Sequence, residues 1–344
     1  MKPRDLLIVA AVVIVAGFAA ADALRESATG EPETRPTTTT PEGGSRPVRR
    51  PGPQPQPDAP EGWPEGTLRG VLTFTDASDC RLRVIGLGGG RERPIPRFMG
   101  NCMLWAAPVG PRLAYGLGPD SADGFQPFRL ADVQNPRREL GGYRALFGVI
   151  LWSPDGRRVA WCGRRRTGFD LEVGGPSRRL PTCPVAFTAE GDIAYALGSR
   201  LNDERRGQIL RVRGGITYAV FLANGSIVVE ADGARIERYS AEGERLFTVR
   251  LPGELQGRTP IVSPDGCAAL FRLAQAPVGG VQLIDLGCFD GIAPRFFQGR
   301  DAAWSPDGRW IAVAEPDAIL FYELVGGNFT ARWPAQAAAL AWRP

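Results

Sequence analysis

The stretch WSPDGRRVAW, which begins at Trp152, and its near copy WSPDGRWIAV, which begins at Trp304, decide the fold of this chain. A third copy, VSPDGCAALF, begins at Val262. Each copy reads as an apolar strand, a tight turn and a second apolar strand. In Pro-Asp-Gly the proline presets φ, the aspartate bonds back to the backbone and the glycine adopts a positive φ. The recurring turn residues, to which we assign a structural role, are Asp155, Gly156, Asp265, Gly266, Asp307 and Gly308.

Weaker copies of the same hairpin turn the pattern into a repeat. They are AAPVGPRLAY from Ala106, FTAEGDIAYA from Phe187 and FLANGSIVVE from Phe221. The turn glycines of the six copies are 34 to 46 residues apart, close to the roughly 40–45 residues of a propeller blade. A third, alternating strand follows each hairpin, and a short polar fourth segment usually comes next. In the unit at Phe187 the third strand is assigned to QILRVRG from Gln208, which predicts a short or missing fourth strand.

The two ends of the repeat region complete one further unit. The chain stops at AAALAWRP, which reads as an inner strand, while Trp63-Pro64-Glu65-Gly66 looks like the missing turn and is followed by TLRGVLTF. The last strand can therefore pair with the first ones and close a ring, which removes sheet edges. The sequence predicts an all-β, closed propeller over residues 63–344 with seven blades; six blades would require one of these units to be false.

A leader precedes the repeats. Lys2 and Arg4 stand before the apolar run Leu6–Ala21, which is 16 residues long and extends to Leu24 if Asp22 lies at the outer interface. A span needs roughly 20 residues. We favour an uncleaved signal-anchor helix over a cleavable signal peptide, and both place the rest of the chain outside the membrane.

A linker follows the leader. Residues 25–62 contain Thr37–Thr40 and the run PGPQPQP from Pro51, with almost no apolar side chains. Such a segment cannot bury a core, and as a stalk it reaches on the order of 100 Å. The expected organisation is therefore a leader at 1–24, a disordered Pro/Thr-rich linker at 25–62 and the propeller at 63–344.

The hairpin pattern resembles the WD40-like PD40 repeat of TolB-type β-propellers. The copies at Trp152, Val262 and Trp304 carry the resemblance, which covers residues 63–344. It implies a propeller that serves as a binding platform. Proteins of the TolB type are periplasmic and carry a small domain before the propeller, where this chain has a stalk.

Six cysteines support an exported domain. They are Cys80, Cys102, Cys162, Cys183, Cys267 and Cys288. Six thiols allow fifteen pairings. In the blade arrangement each pair of sequence neighbours falls on one rim, the first two pairs on the same rim and the third on the opposite one. Disulfides require an oxidising compartment. The chain has no Cys-x-x-Cys spacing and no histidine, which argues against zinc.

Candidate chemistry is sparse. The absence of histidine excludes Ser-His-Asp and Cys-His catalysis. The glycines Gly86–Gly90 precede a strand rather than the helix that a phosphate loop needs, and Asp120 and Asp123 resemble a calcium loop only loosely. No catalytic, cofactor or metal residue is assigned. The aromatic residues expected in the core of the inner strands are Trp105, Trp152, Phe187, Phe221, Trp304 and Trp342.

Arginine is the one compositional bias with a functional interpretation. Of the 41 basic residues, 40 are arginine, which codon usage alone would explain. Residues 67–344 carry 34 basic and 28 acidic side chains, a net charge of +6. The candidate patch for an anion or partner is Arg157, Arg158, Arg164, Arg165, Arg166, Arg178 and Arg179, with Arg137 and Arg138 near it in the chain.

These observations favour a membrane-tethered, extracytoplasmic, monomeric propeller that binds an envelope protein or an anionic polymer, with no nucleic acid and no cofactor. The site is expected at the channel mouth or on the rim near Gly118–Gln126 and Arg164–Arg166. The rival is a lyase- or glycosidase-type propeller enzyme, which a ring of Asp, Glu and Arg around the channel would favour. An apolar channel would favour binding. A third hypothesis is a sensor subunit beside a membrane partner.

Overall fold

Seven four-stranded antiparallel sheets form a β-propeller. The structure is a computed structural model, and the residues it describes are 60, 63–64, 66–99, 102–117, 125–135, 139–146, 150–163, 167–180, 182–256, 259–273, 280–288, 294–324 and 329–344. The predicted leader lies outside these residues, as does the linker except for Pro60. No helix in the described part is long and apolar enough to cross a bilayer.

Each blade is one sheet, numbered here from its inner strand outward. Blade 1 contains β28 (Ala337–Arg343), β1 (Val71–Asp76), β2 (Arg81–Gly86) and β3 (Arg91–Met99). Blade 2 contains β4 (Leu104–Ala106), β5 (Arg112–Gly116), β6 (Phe125–Asp132) and β7 (Glu139–Leu146). Blade 3 contains β8 (Ile150–Trp152), β9 (Arg158–Cys162), β10 (Gly168–Glu172) and β11 (Ser177–Leu180). Blade 4 contains β12 (Pro184–Phe187), β13 (Ile193–Leu197), β14 (Arg200–Asp203) and β15 (Gly207–Arg211).

The remaining blades repeat this order. Blade 5 contains β16 (Ile216–Phe221), β17 (Ile227–Ala231), β18 (Arg235–Tyr239) and β19 (Arg245–Arg250). A short 3-10 helix, Gly253–Leu255, follows it. Blade 6 contains β20 (Ile261–Val262), β21 (Ala268–Leu273), β22 (Gly280–Asp285) and β23 (Arg295–Phe297). Blade 7 contains β24 (Asp301–Trp304), β25 (Trp310–Ala314), β26 (Ile319–Glu323) and β27 (Phe329–Trp333).

The ring closes through the two ends of the propeller. Strand β28 pairs antiparallel with β1, so that Leu72 lies opposite Trp342 and Thr73 opposite Ala341. Blade 1 therefore takes its inner strand from the end of the chain and its other three strands from the start of the repeat region. The predicted seven-bladed, closed architecture is confirmed.

The hydrophobic core is divided among the gaps between blades. Buried apolar side chains of the described residues form seven clusters, and each cluster draws on two neighbouring blades. The gap between blades 7 and 1 holds the largest set, which includes Trp63, Trp333 and Trp342. The gap between blades 3 and 4 holds the smallest, Ala160, Leu180, Phe187 and Ile193. A blade therefore has no separate core and depends on its neighbours for burial.

The Ser-Pro-Asp-Gly turns are built as predicted, and the serine adds a contact that the sequence analysis missed. Ser153 Oγ donates to Asp155 Oδ1 over 2.6 Å, and Oγ also accepts from the backbone N–H of Arg158 at 2.8 Å. The backbone N–H of Arg157 donates to the same Asp155 oxygen. This serine bond holds the pKa of Asp155 below its ordinary value. The turn glycine Gly156 has φ +64.

The same network recurs in the other two good copies. Ser263 Oγ donates to Asp265, and Ser305 Oγ donates to Asp307, each over 2.6 Å. In both turns the backbone N–H two residues after the aspartate donates back to its carboxylate. Gly266 has φ +72 in this position. Repetition of one hydrogen-bond pattern in three blades supports a structural role for these aspartates.

Two details of the sequence prediction are wrong. In blade 4 the segment from Gln208 is the fourth strand, because Arg200–Asp203 intervenes and pairs with both β13 and β15. That strand is only four residues long and begins directly after the turn at Gly198, so it lacks the alternating run that marks the other third strands. Blade 4 therefore has its full set of four strands.

The predicted turn at residues 63–66 does not join β28 to β1. Gly66 lies five residues before β1, whereas the turn glycine Gly308 lies two residues before β25. Trp63 instead packs between blades 7 and 1. Its ring lies edge-to-face with that of Trp333, and the two ring centroids are 5.2 Å apart. Its indole N–H donates to the carbonyl of Leu87. The segment thus seals the closing gap from outside the ring.

Gly156 and Gly191 make a matched pair for testing the turn geometry. Both have positive φ, but a Cβ at Gly156 would lie 2.4 Å from the carbonyl oxygen of Val109, while a Cβ at Gly191 would meet nothing within 4 Å. We expect Gly191→Ala to cost about 1 kcal/mol of stability from backbone conformation alone. Gly156→Ala should cost about 1–3 kcal/mol more, because the backbone at Val109 in the preceding blade must move. Equal shifts in the unfolding temperature of the two variants would contradict this account.

Candidate functional site

The propeller has two faces, which are defined by the direction of the inner strands. The front face is the end where the inner strands begin and where second strands turn into third strands. The turn face is the end that carries the Ser-Pro-Asp-Gly turns. The inner strands surround a central channel that runs from one face to the other.

The front end of the channel opens into a cavity of about 570 Å³. This volume falls in the range of roughly 300–1,000 Å³ that small-molecule sites occupy. The described lining residues are Cys102, Met103, Leu104, Trp105, Ile150, Leu151, Tyr218, Val220, Thr259, Pro260, Ile261, Val262, Arg272, Arg300, Asp301, Ala338 and Ala339. They come from six inner strands and the segments next to them, so the cavity exists only in the closed ring.

An ion pair stands on one wall of this apolar cavity. Arg272 on β21 contacts the carboxylate of Asp301 on β24 through its Nε. Asp301 is 2% exposed and also accepts the backbone N–H groups of Ala302 and Leu340, each at 2.8 Å. Burial raises the pKa of Asp301, whereas these three donors favour its charged form. The aspartate thereby joins blades 6, 7 and 1 at the channel wall.

A phenol and a carboxyl group form a second polar feature. Tyr218 lines the cavity, and Glu230 lies directly opposite it on β17. Glu230 is 3% exposed, and its Oε1 has no hydrogen-bond partner. Burial raises the pKa of Glu230 to about 7 and that of Tyr218 to about 12. The Tyr218 hydroxyl makes no hydrogen bond within the part of the chain that the structure describes.

Charged side chains are few in the described lining of the cavity. The charged lining residues among those described are Arg272, Arg300 and Asp301, and the remaining walls are mainly apolar. A glycosidase requires two carboxyl groups beside the scissile bond, but Asp301 is the one carboxylate among the described lining residues. Glu230 lies behind Tyr218 and is not part of the lining. A ring of acidic and basic side chains, which would favour the enzyme hypothesis, is not seen in the described lining.

The predicted arginine patch divides into three groups. Arg164, Arg165 and Arg166 lie outside the described residues, as do Arg137 and Arg138. Arg157 and Arg179 are exposed, and Arg157 lies at the turn face with Asp155 3.9 Å away. Arg158 and Arg178 are committed to ion pairs. The structure therefore does not gather the described members into one free basic surface.

The ion pairs of Arg158 and Arg178 cross the gap between blades 3 and 4. Arg178 Nη2 contacts Asp170 at 3.1 Å and Glu204 of blade 4 at 2.8 Å. Arg158 also contacts Asp170, donates to the carbonyl of Gly191 at 2.8 Å and lies over the ring of Phe187. This gap has the smallest apolar cluster. The two arginines thus supply part of the contact that apolar side chains supply elsewhere.

The cysteines pair in the order of the sequence. Cys80 joins Cys102 and Cys162 joins Cys183 at the front face, with Cα atoms 4.6 and 4.8 Å apart. At the turn face Cys267 joins Cys288, with Cα atoms 5.2 Å apart. These positions match the rims that the blade arrangement assigns to each pair. The first two disulfides tie one blade to the inner strand of the next, while the third links two strands within blade 6.

The aromatic residues and the glycine-rich segment of the sequence analysis lie in the strands and turns of the blades. The six aromatic residues expected in the core all lie on inner strands. Gly86 ends β2 and the following glycines form the turn to β3, as expected. Asp120 and Asp123 lie outside the described residues. Within the described residues, no group of three or more Cys, Asp or Glu side chains is arranged to hold a metal ion.

Comparisons with known proteins found similar solved structures but no family. No protein-family model matches the chain, and no curated protein does. The β-propeller domain of Cps50 (Swd1) from Myceliophteria thermophila is similar, with a TM-score of 0.48 and 14% identity over 70% of this chain and 89% of that chain. TolB from Acinetobacter baumannii has a TM-score of 0.44 and 14% identity over 80% of this chain and 67% of that chain.

A further similar structure is hydrazine synthase from Kuenenia stuttgartiensis, with a TM-score of 0.44 and 12% identity over 68% of this chain and 87% of that chain. At these identities the likeness concerns the fold alone. Membership of the PD40 repeat family stays a prediction from the hairpin motifs.

The disulfide pairing is directly testable in the exported protein. Peptide mapping without reduction should recover three cross-linked pairs that join each cysteine to its sequence neighbour. The double variant Cys162→Ser/Cys183→Ser should lose about 3 kcal/mol of stability, since a loop of about 20 residues is released. Six thiols open to alkylation in the native protein would contradict the pairing.

Glu230 should make stability depend on pH. Its folded-state pKa near 7 lies above the ordinary value of 4.5. Between these two pH values the unfolded chain releases the proton and the folded chain keeps it, so the free energy of unfolding falls as pH rises. Above pH 7 both states are ionised and the loss is complete, on the order of 3 kcal/mol.

Glu230→Gln removes this titration while it keeps the shape of the side chain. We expect the variant to gain stability over the unmodified protein at pH 8 but not at pH 4, as measured by urea unfolding. A gain of equal size at both pH values would show that burial does not hold the carboxyl group neutral.

Proposed function

We propose that this protein is a membrane-tethered, extracytoplasmic β-propeller that serves as a binding scaffold in the bacterial cell envelope. The observation that carries the proposal is the open, mainly apolar cavity at the front end of a channel closed by seven blades. Its single described carboxylate, Asp301, is held by an arginine and two backbone N–H groups. The cavity therefore offers surface for binding rather than a pair of acid and base groups.

Three disulfides support an extracytoplasmic location, because such bonds persist in oxidising compartments. The basic residues and apolar run at 1–24 support tethering by a signal-anchor, with secretion as the outcome if the leader is cleaved. Residues 25–62 would then form a stalk that holds the propeller, residues 63–344, away from the membrane.

The partner is proposed to be an envelope protein or an anionic polymer. The net positive charge of the repeat region favours an anionic surface. Arg164–Arg166 stand in the chain between β9 and β10, and the Cys162 end of β9 lies at the front face. A monomeric propeller without cofactor or nucleic acid is sufficient for this function.

Capture of envelope components tests the scaffold function. Full-length protein carrying an affinity tag would be purified from membranes of producing cells, together with its bound components. We expect a defined component to be retained, and Ala338→Phe, which places a ring in the front cavity, to reduce its recovery at least tenfold. The matched control is Ala241→Phe, an exposed position at the turn face. Recovery unaffected by Ala338→Phe would exclude the cavity as the site.

A triple variant tests the arginines between β9 and β10 separately from the cavity. Arg164→Ala/Arg165→Ala/Arg166→Ala should weaken capture in a manner that added salt reproduces, because salt screens charge–charge attraction. Undiminished capture by this variant would refute the contribution of these arginines while leaving the cavity in place.

A further inference from the structure

The front cavity has a charge imbalance that restricts what it can bind. Its described lining contains two guanidinium groups, those of Arg272 and Arg300, and one carboxylate, that of Asp301. The carboxylate oxygens already accept from Arg272 and from two backbone N–H groups. Three of the roughly four acceptor sites of the Asp301 carboxylate are therefore occupied, and Asp301 is 2% exposed, whereas both arginines line the cavity as donors.

The ion pair with Asp301 holds Arg272 in place but leaves its side chain accessible. Its Nε is bound to Asp301, its side chain is 49% exposed, and it is one of the residues that line the cavity. Arginine presents five N–H donors in a fixed fork, so the terminal nitrogens stay available for a ligand. Arg300 precedes Asp301 in the chain and lines the same cavity; its backbone N–H donates to the carbonyl of Ala314, and its guanidinium group has no partner among the described residues.

Tyr218 on β16 supplies a third donor to the same cavity. Its hydroxyl is free of protein hydrogen bonds within the described residues, although burial and the neighbouring Glu230 keep the phenol protonated. Arg272 is near enough to Tyr218 to oppose this rise in pKa. Two guanidinium groups and a phenol, which supply N–H and O–H donors, thus line one common cavity.

The rest of the cavity is apolar. Trp105, Ile150, Val220 and Ile261 stand on four different inner strands around it. Ligand pockets typically combine such apolar walls with a few polar groups that fix orientation. A polyanion such as a nucleotide would gain little from these walls and would exceed the single surplus positive charge. An uncharged ligand would leave the guanidinium donors desolvated without a counter-charge.

We propose that the front cavity binds a small amphipathic monocarboxylate. Its carboxylate accepts hydrogen bonds from Arg272, Arg300 and Tyr218, and its aliphatic or aromatic body lies against the apolar inner-strand side chains. This inference rests on the proposed binding function and specifies the class of small ligand that the cavity accepts.

Three probes with one shared body test the ligand class. Full-length protein in lipid nanodiscs would be titrated by calorimetry and by saturation-transfer NMR with 4-phenylbutyrate, 4-phenylbutanol and 4-phenylbutylammonium, and empty nanodiscs would correct for partition into lipid. We expect 4-phenylbutyrate to bind about tenfold more tightly than the alcohol, the gain typical of a hydrogen bond to a charged group, and the ammonium compound to bind most weakly.

Substitutions assign the gain to the donors. Arg300→Gln should reduce the affinity for 4-phenylbutyrate about tenfold and leave that for 4-phenylbutanol unchanged. Arg300 has no ion-pair partner in the described residues, so its loss should not disturb folding. Tyr218→Phe should act in the same direction, and Arg309→Gln, an exposed arginine at the turn face, is the control.

The outcomes separate the ligand class from the scaffold function. Equal affinities for the three probes, all abolished by Ala338→Phe, would overturn the monocarboxylate inference and retain the cavity as a binding site. Binding of 4-phenylbutyrate that Arg300→Gln and Tyr218→Phe leave unchanged would also overturn it. Absence of binding by all three probes would refute the inference, and capture of envelope components would then decide the scaffold function separately.

Discussion

The pairing of β28 with β1 is the constraint on which the rest of the structure depends. A single blade has apolar side chains on both faces and no separate core, so each sheet is stable only between two neighbours. Antiparallel pairing of the C-terminal strand with the first strand supplies the last neighbour and closes the ring. Buried Arg343 reinforces this junction, since it donates to Thr73 at 2.8 Å and to the carbonyl of Gly110 in blade 2 at 2.7 Å. Without closure, the gap between blades 7 and 1, which holds the largest apolar cluster, would be open to water.

Contacts between neighbouring blades follow a common plan with local exceptions. Indole N–H groups on inner strands donate to the preceding blade, as Trp152 does to Trp105 and Trp304 does to Ile261. Arginine side chains at the turn face donate to the following blade, as Arg158 does to Gly191. The gap between blades 3 and 4 is poor in apolar side chains, and ion pairs across it contribute contacts instead. Arg158 and Arg178, which the sequence suggests as part of an anion-binding patch, therefore form ion pairs and hydrogen bonds that join blades 3 and 4.

The front cavity follows from the same geometry. Inner strands converge on the axis, and side chains from six of them define one space that no single repeat contains. Most of these residues are apolar side chains of the inner strands, whereas Arg272, Arg300 and Tyr218 add hydrogen-bond donors. A carboxylate that would otherwise balance these donors, Glu230, lies behind Tyr218, where burial raises its pKa to about 7. The distribution of charge in the cavity is thus a property of the assembled ring.

The sequence by itself favoured seven blades over six, specified the turn chemistry and placed each cysteine where pairing with its sequence neighbour is geometrically possible. Each depends on local features: the Ser-Pro-Asp-Gly turns, the alternation of strands and the position of each cysteine at a strand end. It did not reveal the short third strand of blade 4, whose four residues are too few to show alternation, or the packing of Trp63 away from the expected turn. Only the tertiary structure decided which arginines are paired and which face the channel, since Arg158 meets Gly191 and Arg272 meets Asp301 across blades. Residues as distant in the chain as Trp105 and Ala338 share one cavity because closure brings the two ends of the repeat together.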